Sequence, residues 1–200
     1  MKMKYYDLLS TCIVGIIIVF VVNYFYNGNQ EIDGIIYFAL GYVTGYFINS
    51  IGSLLEKFYY IIIGGKPANK LLKENNDKNY NGFGKIRLYN PNDIIKKIKN
   101  NTNNPNPSIE EIFNEAKNKV MVLKEGNTRC SDFNAQYALS RSILTVTFIS
   151  YVLIAIVEYH NVIFWVIGTP VLFLSWNRYK ERAYYYAKEI LIVYDNCIKI

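Results

Sequence analysis

Four arginines stand out as residues that could grip an anion. Arg129 and Arg141 flank the start of a long C-terminal half rich in apolar residues, and Arg178 and Arg182 lie four apart, on one face of any helix that holds them. A guanidinium binds phosphate bidentately, so such a set is a candidate clamp for a phosphorylated ligand or for a partner protein. Lipid headgroups, with Glu181 and Asp132 as partners, account for the same arginines without a ligand. A second group is polar but uncharged. Thr44, Asn49 and Ser53 sit in an otherwise apolar segment, where they would line a hydrated path or hydrogen-bond to a neighbouring helix. Catalytic signatures do not emerge: there is no Ser/His/Asp set, no HExxH, no P-loop and no GxGxxG. The single histidine, His160, reads as a turn residue. Cys12, Cys130 and Cys197 form no CxxC or Cys/His cluster. The expectation is therefore a non-enzyme with no cofactor and no metal.

The elements that must position these residues are apolar and long. Leu8 to Tyr26, with Asn23 as its one strongly polar member, suffices to cross roughly 30 Å of hydrocarbon. A second run covers 34–53. A third covers about 137–157, with its apolar part from Ser142, and a fourth covers 162–176, flanked by the aromatic anchors Trp176 and Tyr179. Tyr24, Phe25 and Tyr26 stand where a signal-peptide cleavage site would need small residues, so 1–26 reads as a retained span.

Charge orients these spans. The connectors 27–33 and 158–161 contain no Lys or Arg, and all 22 basic residues fall on the other flanks. The positive-inside rule then places both termini and the segment 64–131 in the cytosol. With three acidic residues (Glu31, Asp33, Glu158) outside, the inner side carries a net +9. Such a face suits anionic lipid first, and a polyanionic ligand second. The expected fold is mainly α. It is a four-helix polytopic membrane protein of the bacterial inner membrane, with a small cytosolic α or α+β insert and helices that continue below the membrane. Its segments are 1–63 (spans 1 and 2), 64–131 (insert), 132–176 (spans 3 and 4) and 177–200 (an amphipathic cytosolic helix).

Local signals refine this map. Gly41, Gly45 and Gly52 punctuate the second span, and the Gly41–Gly45 pair marks a close helix contact, within or between subunits. Gly64, Gly65 and Pro67 end its helix near Ile63. In the insert, Asn75–Asn81 and Asn100–Asn106 read as loops, and Gly84–Tyr89 as a short strand. Pro91 and Asp93 open a helix to about Lys99, and Ser108 with Glu111 forms a capping box. Gly126 is expected to end the helix that follows. Ser131 or Asp132 is expected to cap a new helix that runs without a break into the third span.

Three stretches together carry a resemblance. They are Gly41–Gly52 running into Glu56, Phe133–Ser142, and Arg178–Arg182 through Tyr186–Glu189. This layout resembles small four-span membrane effectors of anti-phage defence of the Hailong type, which work beside a nucleotidyltransferase. The resemblance implies a homo-oligomer, for which a tetramer is the working expectation, that permeabilises the inner membrane when infection is sensed. It also implies a cytosolic face that receives a nucleotide or oligonucleotide signal, or a protein partner. The expected function is a gated pore; the alternative is a membrane anchor or scaffold that recruits a cytosolic enzyme.

Overall fold

A computed structural model describes residues 5–26, 31–73, 86–102, 104 and 106–197, without the side chains of 5–9, 124–128 and 197. Lys2, Lys4, the loop Asn75–Asn81, most of the connector 27–33 and the first two residues of the expected strand lie outside the described residues. Seven helices follow in order: α1 (Tyr5–Tyr26), α2 (Gly34–Ile63), α3 (Pro67–Leu72), α4 (Pro91–Asn100), α5 (Ile109–Val122), α6 (Lys124–Val157) and α7 (Val162–Cys197). The protein is mainly helical, and no strand occurs among the described residues. The expected strand at 84–89 is thus a correction: Ile86 is buried, but Arg87 to Tyr89 run on into the turn before α4.

The chain divides into two compact units. Unit 1 comprises 1–57 and 138–179, and unit 2 comprises 58–137 and 180–200. The insert and the C-terminal helix, separate in sequence, therefore belong to one unit. Helices α2, α6 and α7 each contribute residues to both.

In unit 1, α1 and α2 run antiparallel, as do α2 and α6 and also α6 and α7, whereas α1 and α6 run parallel. A Cβ on Gly15 would overlap the Gly41 carbonyl, and one on Gly45 would overlap the Thr11 carbonyl. These are backbone atoms, so α1 and α2 are in backbone contact, through Gly41 and Gly45 on α2 and the single Gly15 on α1. The pairings Thr11–Gly45 and Gly15–Gly41 fix the antiparallel register. A small core of Val14, Ile18, Ile48 and Val146 ties α1, α2 and α6 together. On α7, Gly168 lies against the Tyr151 ring of α6, and the Tyr151 hydroxyl bonds the Thr169 hydroxyl at 3.1 Å. Pro170 sits inside α7 without ending it.

The outer surface of unit 1 is apolar. Ile35 is 82% exposed and Leu54 79%, and Phe47, Val166 and Phe173 are exposed as well. By length and composition two stretches can cross a membrane: Gly34–Leu72, which contains α2, and Arg129–Val157 in α6. Ser10–Tyr26 is a shorter apolar helix, and the apolar part of α7 covers only 162–176. Faces of this kind are stable against lipid or a partner rather than against water.

Unit 2 has its own core. Leu72, Ile98, Ile112, Ala116, Val120, Tyr184 and Tyr194 are all buried to 2% exposure or less. Helix α2 ends as its glycines predict. Gly64, at φ +83°, donates to the Ile61 carbonyl at 2.9 Å, and Gly65 donates to the Tyr60 carbonyl at 2.8 Å. This is the paired bond pattern of a left-handed helix stop. Lys70 Nζ, on α3, donates to the Ile63 carbonyl at 2.7 Å and caps the same end. The capping box on α5 forms, with Glu111 N bonded to Ser108 Oγ at 3.2 Å and Ser108 N to Glu111 Oε2 at 2.7 Å. Gly126 does not end α5. That helix stops at Val122, Leu123 is its C-cap, and α6 begins at Lys124. The long helix therefore starts about seven residues before the expected Ser131 or Asp132 cap.

Candidate functional site: a polar cluster at the charged ends of two apolar helices

Helix α2 carries no charged residue from Gly34 to Leu55, and Glu56 is the first. Helix α6 carries none from Ser142 to Val157, and Arg141 is the residue just before. These two boundary residues meet. Arg141 Nη1 donates to Glu56 Oε2 at 2.5 Å, with the Arg141 side chain 13% exposed and Glu56 24%. Two uncharged stretches, 85 residues apart in sequence at this point, thus end at one level while their helices continue.

Asn49 lies two turns back along α2 and joins the cluster. Its Oδ1 accepts from Arg141 Nη2 at 3.3 Å and is 3.0 Å from Ser142 Oγ. Ser142 Oγ is also 3.1 Å from the Ala138 carbonyl. It has one proton, so it donates to one of the two at a time. Thr145, fully buried, donates to the Arg141 carbonyl at 2.9 Å. Gly52 lies under the same cluster. A Cβ there would come within 2.9 Å of Thr145 Oγ1 and displace that hydroxyl, while Arg141 Cγ, at 3.6 Å, would be in ordinary contact with it. A desolvated pair of this kind is held by its geometry and its added hydrogen bonds, because the Coulomb gain alone barely offsets desolvation.

The other sequence candidates are placed differently. Thr44 is half-buried on α2. Ser53 is exposed and donates to the Asn49 carbonyl of its own helix at 3.1 Å. Asn49 is thus an interhelical hydrogen-bonding residue, while Ser53 bonds within its own helix. Gly41 and Gly45 pack against α1, while Gly52 packs against α6. Gly15, their partner on α1, was not singled out from the sequence, since a lone glycine in an apolar run carries no spacing signal.

The four arginines do not share one site. Arg141 pairs with Glu56 in unit 1. Arg178, also in unit 1, is exposed. In unit 2, Arg129 Nε pairs with Glu189 Oε1 at 2.5 Å, and the Glu189 side chain is 6% exposed. Arg182 Nη1 donates to Gln136 Oε1 at 2.5 Å, with its guanidinium 6.0 Å from the Tyr185 ring. Glu56 and Glu189, the carboxylates that meet Arg141 and Arg129, are not legible from local spacing. Nearby, Tyr137 stacks on Tyr186 at 5.6 Å and bonds Tyr60 through their hydroxyls at 2.7 Å. No group of three or more His, Cys, Asp or Glu side chains suited to a metal occurs among the described residues. Comparison with protein-family models, with curated proteins and with solved structures gives no match.

Proposed function

We propose that the protein is a four-span protein of the bacterial inner membrane, with unit 1 in the bilayer and both termini and unit 2 in the cytosol. Several copies would assemble into a pore that is gated from the cytosolic face. The observation that carries this reading is the Arg141–Glu56 pair. It joins the first charged residues beyond two apolar stretches, as expected where both helices leave the hydrocarbon on the same side. The antiparallel register of α1, α2, α6 and α7 supports an even number of crossings.

The same cluster suits a gate. A charge pair at the hydrocarbon boundary, tied to one asparagine and one serine, would hold the closed state, and opening it would expose both charges to water and lipid phosphate. Switching such a gate cleanly needs a preference of about 5.5 kcal/mol between its states. Opening the pair costs free energy, so the trigger must supply that preference through contacts it makes only with the open state. The trigger, a nucleotide or oligonucleotide or a protein partner such as a nucleotidyltransferase, would act on the basic unit 2. The anti-phage setting is carried by the resemblance of the three stretches quoted above.

A second reading has an observation in its favour. Asn49, the strongest lining candidate, is engaged inside the chain, as expected of an anchor whose spans only localise a cytosolic scaffold. A membrane-potential dye separates the two readings in cells expressing the protein. Depolarisation on overexpression or infection, altered by Asn49→Leu, supports the pore. A preserved potential under both conditions, with a cytosolic enzyme recovered on the intact protein, supports the anchor.

A further inference from the structure

Unit 1 holds a cavity of about 630 Å³ between α1, α6 and α7, within the size range of small-ligand sites. Its wall on α6 runs from Thr147 to Glu158, about 16 Å at 1.5 Å per residue. That is roughly half of a 30 Å hydrocarbon core, the depth of one leaflet.

Chemistry changes along this length. One end is apolar, with Ile17 of α1 and Val171 of α7. The other end holds Tyr24, Phe25, Phe164, Glu158 and Asn161. Glu158 is half-buried and accepts from Asn161 Nδ2 at 3.1 Å. A carboxylate beside three aromatic rings selects a cation, by charge and by the negative faces of the rings. The connector 158–161 has no Lys or Arg that would select an anion. Between the ends lies Ser150. Its side chain is buried in the wall and adds no charge there.

We propose that this groove holds a phospholipid of the outer leaflet. One acyl chain lies along α1, α6 and α7, and a primary-ammonium headgroup sits at Glu158 and the aromatic end. The proposal rests on the four-span reading, which places 158–161 outside.

The test uses the full chain in vesicles of equal phosphatidylethanolamine and phosphatidylglycerol, extracted gently and weighed by native mass spectrometry. Phosphatidylethanolamine should be enriched about five-fold among retained lipids, the size of one carboxylate and cation–π contact. Glu158→Gln should bring the ratio back to that of the vesicle. Gly168→Leu would thrust a side chain against the Tyr151 and Phe164 rings, each already 3.2 Å from a Cβ there, and should abolish retention of both lipids. Should that variant fail to fold, Val171→Trp blocks the apolar end instead. Retained lipid at the vesicle ratio, or enrichment unchanged by Glu158→Gln, overturns the proposal. So does a second copy cross-linked through Ile167→Cys in place of lipid. An impermeant maleimide on Asn161→Cys separates the causes of failure. Labelling from outside with no enrichment defeats the lipid site alone; labelling only from inside defeats the four-span reading and the lipid site with it.

Discussion

Replacing Arg141 by Gln removes one charge from the pair that closes α2 onto α6. Two unit charges with centres about 4 Å apart attract by about 4 kcal/mol at an effective dielectric of 20. The side chains retain 13% and 24% of their exposure, and desolvation offsets part of the attraction, so the net coupling is about 2 kcal/mol. The single changes differ. Glu56→Gln leaves Arg141 its bond to Asn49 and should cost about 2 kcal/mol. Arg141→Gln leaves a partly buried carboxylate with its charge partner gone and should cost about 3 kcal/mol. The double variant should cost about 3 kcal/mol, because the second change removes a charge that the first had already stranded. The assay is a double-mutant cycle on the unfolding equilibrium in mixed detergent micelles. A coupling below about 0.5 kcal/mol, the ordinary scatter of independent sites, refutes the reasoning.

Other expectations follow from single elements. Gly15→Ala forces α1 off the α2 backbone and should destabilise by about 2 kcal/mol or more. Gly34→Ala meets nothing within 4 Å and should be neutral or stabilising; thermal unfolding of the two variants in detergent makes the comparison. Gly64→Ala places a Cβ at φ +83° and should cost about 1–2 kcal/mol by the same assay. Ser108→Ala removes the N-cap of α5 and should lose about 1 kcal/mol, with faster amide exchange confined to the first turn of that helix.

The long helices were legible because their signals are local. The apolar runs, the Gly64–Gly65–Pro67 stop, the Pro91 start and the Ser108–Glu111 box each lie within a few residues of the feature they specify. Helix α3 was not seen because six residues cannot display a helical period; it exists because Leu71 and Leu72 are buried against the rest of unit 2. Gly126 misled because a glycine inside a helix costs only about 1 kcal/mol relative to alanine, which neighbouring residues of a 34-residue helix outweigh. The strand at 84–89 was read from alternation over six residues, a pattern that a buried Ile86 in an extended segment also gives. For the candidate site, the members were legible but their partners were not. Asn49, Gly52 and Arg141 were all named from the sequence, yet nothing local ties residue 141 to residue 56, and the choice between a lining and a packing role for Asn49 depends on that contact.

The proposed function and the lipid site both rest on the proposed placement of 158–161 outside the inner membrane and of the C-terminus inside it. Alkaline phosphatase fused after His160 and a fluorescent protein fused after Ile200 report these positions in living cells. Active phosphatase together with fluorescence is the predicted outcome. A silent phosphatase at His160, or a dark fusion at Ile200 with the protein present in the membrane fraction, contradicts the four-span account.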